Sequence, residues 1–204
     1  MEKIKQNPFV KKVGFNRIVL CCVLLLMYGL FCALTGGSFA GMNRIMSALN
    51  YAYFLGFLSL GVTFVIATGQ IDFSIGPVMF CCALISGYTL TTHGISMPVA
   101  ILISILVGFA FGLFNGYLVA YWSVPSFITS MASMNIAKGL ASVYTKTQSV
   151  SWPQAADPDN GWFRNLVTYN GFPVGLVILL VVAVVCAIIL NKTRIGRYIL
   201  CLGS

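Results

Sequence analysis

Carboxylates are almost missing from this chain. Between Glu2 and Asp157 there is one, Asp72. Charged residues make up 8% of the 204, against 59% hydrophobic residues. A soluble surface needs charge, so this scarcity excludes an ordinary soluble domain. In lipid the scarcity is required, because ionisable groups at membrane depth are costly and the survivors tend to have a function. Histidine is reduced to His93, which without partners reads as a surface residue. There is no GxxxxGK[ST] phosphate loop, so ATP is not bound by that route. No nucleophile–base constellation is present, which argues against an enzyme. Cys21, Cys22, Cys32, Cys81, Cys82 and Cys186 lie inside apolar runs and Cys201 lies near the end. None has metal-ligand spacing or a loop position suited to a disulfide, so they read as small hydrophobes. No metal or cofactor is expected. Continuous apolar runs, not alternating ones, exclude a membrane β-barrel.

Those runs are what the chain does have. A helix needs about 20 apolar residues to cross a hydrocarbon core of about 30 Å. Candidate spans are Arg17–Thr35, Tyr51–Thr68, Phe73–Thr91, Met97–Trp122, Ser126–Tyr144 and Pro173–Leu190. The fold class is therefore an all-α integral membrane protein, a bundle of about six transmembrane helices. The first run exceeds the usual 7–15 residues of a signal-peptide core, so it reads as an uncleaved anchor. The net charge is +8, which in a soluble protein would suggest nucleic acid. Here Lys3, Lys5, Lys11, Lys12 and Arg17 cluster at one end, and Lys192, Arg194 and Arg197 at the other. That is a topology signal, and it puts both termini in the cytoplasm. The organisation expected is a cytoplasmic segment 1–16, a transmembrane domain 17–190 and a cytoplasmic tail 191–204. The tail should begin a helix at the membrane surface, with Arg194 and Arg197 near anionic headgroups. Membrane lipid is thus an expected partner, and nucleic acid is not.

Four segments stand out. Gly69–Pro77 (GQIDFSIGP) breaks one helix and starts another. Asp72 or Ser74 suits a cap of the next helix and Pro77 its first turn. The same segment can be a discontinuous span on a substrate path. Gly108, Gly112 and Gly116 form a groove along the fourth span, where another backbone can approach. Asn115 beside them needs a hydrogen-bond partner in lipid. In the fifth span Ser126, Thr129, Ser130, Ser133 and Ala137 share one small, hydroxylated face. Such a face packs closely on a helix or lines a wet cavity, and it is too polar for acyl chains. We expect it to face a transport path. Gln148–Phe172, with Trp152, Trp162, Phe163, Tyr169 and Phe172, reads as a loop resting on the membrane interface or as a docking surface.

Together these segments resemble the permease subunits of carbohydrate-uptake ABC transporters of the ribose/xylose/galactose type. Gly69–Gly76 is similar to that family's GGIDLSVG signature, with Gln70 in place of the second Gly and conservative changes at Phe73 and Ile75. Asn115–Ala120 resembles its NGxLVA segment, Pro125–Thr129 its P-x-F-I-x-T/A stretch and Lys138-Gly139 its Arg-Gly. Thr193–Tyr198 resembles its TRxGR segment and Leu202-Gly203 the following A-x-G. The likeness runs from about Asn50 to the C-terminus. It implies a second permease copy or paralogue, a cytoplasmic ABC ATPase subunit and an extracytoplasmic sugar-binding protein as partners. It implies alternating access for a monosaccharide. From the residues themselves we expect Asp72, Ser74, Asn115, Ser126, Thr129, Ser130 and Ser133 on the substrate path. The resemblance also implies a coupling-side segment at Thr193, Arg194, Gly196 and Arg197. Ser204 falls where the family's coupling element should begin, so the resemblance implies a permease cut after its first half. Related nucleoside or branched-chain amino acid permeases, and a non-transporting scaffold, are the alternatives.

Overall fold

The computed structural model describes residues 15–168 and 172–203. The basic N-terminal segment, apart from Phe15–Arg17, and Tyr169 of the aromatic loop lie outside them. Among the described residues eight α-helices follow one another: α1 Phe15–Leu34, α2 Met42–Ala67, α3 Ile75–His93, α4 Met97–Trp122, α5 Ser126–Tyr144, α6 Trp162–Val167, α7 Val174–Lys192 and α8 Arg194–Leu202. The protein is all-α, as the apolar runs require.

The chain divides into two compact units at Ala48 and Leu49. The first holds α1, a 3₁₀ turn at Ser38–Ala40 and the first turns of α2. Its turn is closed locally. Thr35 Oγ1 donates to Phe31 O at 2.7 Å and accepts from Phe39 N at 3.2 Å. The Phe39 ring then rests against Tyr28 and Phe31.

The second unit is built on α3, α4 and α5. Ile71 N–H donates to Ser126 Oγ (3.3 Å) near the starts of α3 and α5. Thr89 Oγ1 meets Tyr144 OH (2.9 Å) near their ends. The two helices are therefore parallel, with α4 antiparallel to both. Cys81 and Ile85 of α3 pack on Ala137 and Ala141 of α5, with Ile103, Val107 and Phe111 of α4 against them. Small side chains let these backbones approach, which is how helices associate where lipid supplies no hydrophobic drive. Ser104 Oγ donates to Ser86 Oγ at 2.8 Å, joining α4 to α3. On the other side, α2 and α7 meet where Gly56 faces Leu179 and Gly175 faces the Tyr53 ring.

Most large apolar side chains point outward. Leu106, Phe109, Leu113, Leu180, Val181 and Val184 are all more than half exposed. An apolar surface of this extent is unstable in water and is what a bilayer solvates. Helices α2, α3, α4 and α7 are long and apolar enough to cross a membrane. In α1 the apolar stretch Val19–Leu34 is shorter. Helix α5 has 19 residues but spends one face on hydroxyls and small residues, so it is less apolar than the others. Length and composition thus support four of the six expected spans directly.

The loop between α5 and α7 packs on the bundle. A Cβ on Gly87 of α3 would lie 2.7 Å from Val150 and 2.8 Å from Trp152 Nε1, so the loop is seated on the helix. Trp152 and Phe163 stack with ring centroids 6.0 Å apart, over a cluster of Leu90, Met97 and Ala100. Asn160 Oδ1 accepts from Met97 N–H (3.3 Å), meeting a free donor at the α4 N-terminus. Arg164 Nε donates to Pro153 O at 2.8 Å. The loop is an ordered cap over the ends of α3 and α4.

Candidate functional site

The break between α2 and α3 brings the sequence motifs together. Gly69 takes φ 74°, the left-handed conformation that turns the chain away from α2. Asp72 Oδ1 accepts from Ser74 N–H (2.7 Å) and Ser74 Oγ–H (2.6 Å). A carboxylate two residues ahead reaches that N–H as an Asx turn does. Helix α3 begins at Ile75, and no side chain bonds its first-turn N–H groups from Ser74. Asp72 therefore holds Ser74 and not the first turn, a correction to the expected cap. Pro77 lies in the first turn of α3, where a missing N–H costs little.

From Ser74 a polar chain crosses three helices. Asn115 Nδ2 of α4 donates to Ser74 Oγ at 3.1 Å. Ser133 Oγ of α5 donates to Asn115 Oδ1. Ser133 is fully buried and Ser74 nearly so. Each member of Asp72–Ser74–Asn115–Ser133 satisfies the next, as buried polar groups must.

Two cavities flank this chain and share Asp72, Gly112 and Asn115. The larger, about 420 Å³, is lined by Thr68 and Gln70 from the break, Gly116 from α4, Ser126 and Ser130 from α5, and Ile199 from α8, among others. The smaller, about 340 Å³, also includes Ser74 and Gly108. Both fall within the range of small-molecule sites, about 300–1,000 Å³. The lining of the larger one offers a carboxylate, two amides and hydroxyls but no Lys or Arg.

Most of the expected residues meet here, with differences. The α5 face is split. Ser126 and Ser130 line the larger cavity, while Ser133, Ala137 and Ala141 are buried in helix contacts. Thr129 is buried too, and its hydroxyl points back to Pro125 O (3.4 Å). The glycine groove of α4 does not receive a helix among the described residues. A Cβ on Gly112 or Gly116 would meet open space, and only Gly108 has a neighbour, Cys82 Sγ at 3.6 Å. The missing side chains leave room for the cavities instead. Asn135 bonds its own helix at Met131 O, and Lys138 is exposed.

The tail forms α8, the helix expected to begin there. Thr193 Oγ1 accepts from Gly196 N–H (3.2 Å), which caps α8 at its start. Gly196 lies so close to the last turn of α7 that a Cβ would strike the Ile189 and Leu190 carbonyls. Arg194 and Arg197 are exposed. At the far end Gly203 packs on Ala67 O and Gly69 N, so α8 is fixed at both ends and sits beside the break. The sequence reading missed this contact, and it missed Gln70 and Ile199 as lining residues. The Ile195–Tyr198–Ile199–Leu202 spacing does mark one apolar face of α8, a signal that was available.

An all-α chain with outward apolar helices, a broken helix and an internal polar site is a multi-pass membrane protein. Residues 44–204 match the family described as branched-chain amino acid transport system / permease component, and the chain belongs to it. It is similar to the fructose import permease protein FruG of Bifidobacterium longum, 32% identical over 179 residues, covering 82% of this chain and 51% of the relative. It is also similar to the galactofuranose transporter permease protein YtfT of Escherichia coli, 32% identical with 76% and 44% covered. The xylose transport system permease protein XylH of Haemophilus influenzae is 30% identical, with 70% and 38% covered. The chain spans about half the length of the curated relatives it matches. No solved structure matches it.

Proposed function

We propose that this chain forms part of the membrane permease of an ATP-binding cassette importer, which moves a monosaccharide or a similar small polar solute by alternating access. The observation that carries this reading is the cavity of about 420 Å³ beside the Asp72–Ser74–Asn115–Ser133 chain. Hydroxyl, amide and carboxylate groups suit the hydroxyls of a neutral sugar. The family's description names branched-chain amino acids, but an amino-acid carboxylate taken out of water needs a cation or several donors. The cavity lining has no cation, which favours the neutral solute. The similarity to fructose, xylose and galactofuranose permeases points the same way.

In this reading Asp72, Ser74, Asn115, Ser126 and Ser130 stand on the solute path. Thr129 and Ser133 hold α5 in place behind it. Gly112 and Gly116 leave the room, and Gly108 lies beside the smaller cavity. Thr193 and Gly196 set the position of α8 on the coupling side, and Arg194 and Arg197 lie exposed on it. A second permease copy or paralogue completes the path, a cytoplasmic ATPase subunit hydrolyses ATP, and an extracytoplasmic sugar-binding protein delivers the solute. The protein resides in the cytoplasmic membrane with 1–16 and 191–204 inside.

Orientation has its own test. The break, the α4–α5 turn and α8 share one end of the second unit, and basic residues Lys192, Arg194 and Arg197 lie there. Positive residues favour the cytoplasmic side. An impermeant thiol reagent added outside should label cysteines placed at His93 and Asn160 and miss one at Lys192. Labelling at Lys192 from outside overturns the topology.

Asp72 offers a second test. Asp72→Asn keeps an oxygen for Ser74 N–H and should retain most uptake. Asp72→Ala removes it and leaves a buried donor unmet, a cost of about 1–3 kcal/mol. Uptake and thermal stability should both fall. Equal loss in the two variants would show that the charge itself is needed.

A further inference from the structure

At the end of the bundle opposite the break there is a third cavity, of about 570 Å³. It lies between the outer loop and Tyr53 in the fourth turn of α2, lined also by Trp152, Ala155, Phe163, Arg164 and Thr168, with Pro153 and Val167 completing it. We infer that this is a second solute-binding site, an outer station for a neutral monosaccharide. The inference rests on the proposed transport function and adds to it a place where the solute is held before it reaches the inner cavity.

The chemistry of the walls carries the assignment. Trp152, Phe163 and Tyr53 give large apolar faces, which suit the C–H faces of a sugar ring. Tyr53 and Thr168 add hydroxyls, Pro153 a carbonyl and Arg164 a guanidinium. Few polar groups in an aromatic-lined concavity is the usual make-up of a small-molecule site, and the volume lies in the usual range of about 300–1,000 Å³. The walls are also fixed in advance. Trp152 is wedged on Gly87 and stacked on Phe163, so neither ring has to be ordered by the ligand. Arg164 is tied through Nε to Pro153 O (2.8 Å), which leaves its other N–H groups to donate. Tyr53 is held against Gly175 of α7, with ring atoms 2.9 Å from where a Cβ would stand. Pre-organised groups lower the ordering cost of binding. One aromatic wall comes from α2, which runs from this cavity to Phe64 and Val65 at the inner one. A solute leaving the outer station thus has a single helix beside it along its way inward.

The test uses the full-length protein in proteoliposomes, with cysteine introduced as Ala155→Cys. Ala155 is exposed and lines the cavity. Labelling of position 155 by an impermeant maleimide is followed by mass spectrometry, with D-fructose, D-xylose, D-galactose or inorganic phosphate added. One of the sugars should slow labelling, by about threefold when present at twice its dissociation constant. Arg164→Gln and Thr168→Val should each remove the protection, and Thr168→Val should leave the melting temperature unchanged. Gly116→Leu, which fills the inner cavity, should stop uptake and keep the protection. If no sugar protects position 155 while ATP-driven uptake of one of them proceeds, the outer station is wrong and the transport reading survives. If neither protection nor uptake is seen for any of the sugars, both fall. Protection by phosphate alone, or protection that persists in both Arg164→Gln and Thr168→Val, also overturns the assignment.

Discussion

Asn115→Leu should abolish solute uptake and lower thermal stability, the largest effect expected from any single change at the inner site. Asn115 is the only residue in the polar chain that bonds to both flanking elements, donating to Ser74 and accepting from Ser133. A leucine fills similar space but leaves the fully buried Ser133 hydroxyl without its acceptor. An unmet buried group costs about 1–3 kcal/mol, roughly five- to 150-fold in an equilibrium. Ser74 keeps its bond to Asp72, so the break should persist while α4 and α5 lose their link to it. Uptake should therefore fall further than stability does. Asn115→Asp retains an acceptor for Ser133 but loses the amide donor and adds charge at membrane depth, so it should fail as well. Ser133→Ala removes the hydroxyl that Asn115 accepts from and should lose much less. The measurement is uptake of labelled solute beside a melting curve for each variant. Wild-type uptake by Asn115→Leu would remove the polar chain from the mechanism.

Gly196→Ala should displace α8. The added methyl would overlap the carbonyl oxygens of Ile189 and Leu190, and these are backbone atoms of a helix end that cannot turn aside. Over-packing typically costs about 1–3 kcal/mol, and backbone overlap belongs at the upper end. Losing the seat of α8 also frees Ile199 from the inner cavity and Gly203 from the Ala67–Gly69 turn. The larger cavity would then open at the α8 side. A cysteine at Ile199 should react faster with thiol reagents in the Gly196→Ala background, and the melting temperature should drop. Arg197→Ala, at an exposed position on the same helix, should change neither. An unchanged labelling rate at position 199 in Gly196→Ala would show that α8 is not seated by this contact.

Several helix bounds were legible because strong local signals mark them. Met97–Trp122 and Ser126–Tyr144 are found as read, set off by Pro98 and by the Ser123–Pro125 turn. The start of α2 was placed nine residues late, at Tyr51 instead of Met42, because Asn43, Arg44 and Asn50 look like loop. A helix tolerates those side chains where they lie near its end. The inner site was partly legible. A lone carboxylate, an amide and a hydroxyl face in lipid must find partners, and they found one another. Which atoms pair could not be read, since Ser74, Asn115 and Ser133 lie on three helices whose crossing is set by packing. The glycines of α4 were only partly legible for a related reason. Four-residue spacing signals room on one face but not what fills it, and at Gly112 and Gly116 that is open space. The loop aromatics carried no sign that Trp152 had a seat at Gly87. Long-range contacts such as Gly203 on Gly69 leave no local pattern at all.

The central claim is that the cavity beside Asp72 and Asn115 carries a neutral sugar through the membrane. Its most direct test is ATP-driven uptake into proteoliposomes that hold the gene's full product, its partner permease, the ATPase subunit and the binding protein. Labelled D-fructose, D-xylose, D-galactose, a nucleoside and leucine are compared. The account predicts accumulation of a sugar that needs ATP and is lost in Asn115→Leu and Gly116→Leu. Accumulation of leucine or the nucleoside in place of any sugar, or sugar uptake that both variants leave intact, would contradict it.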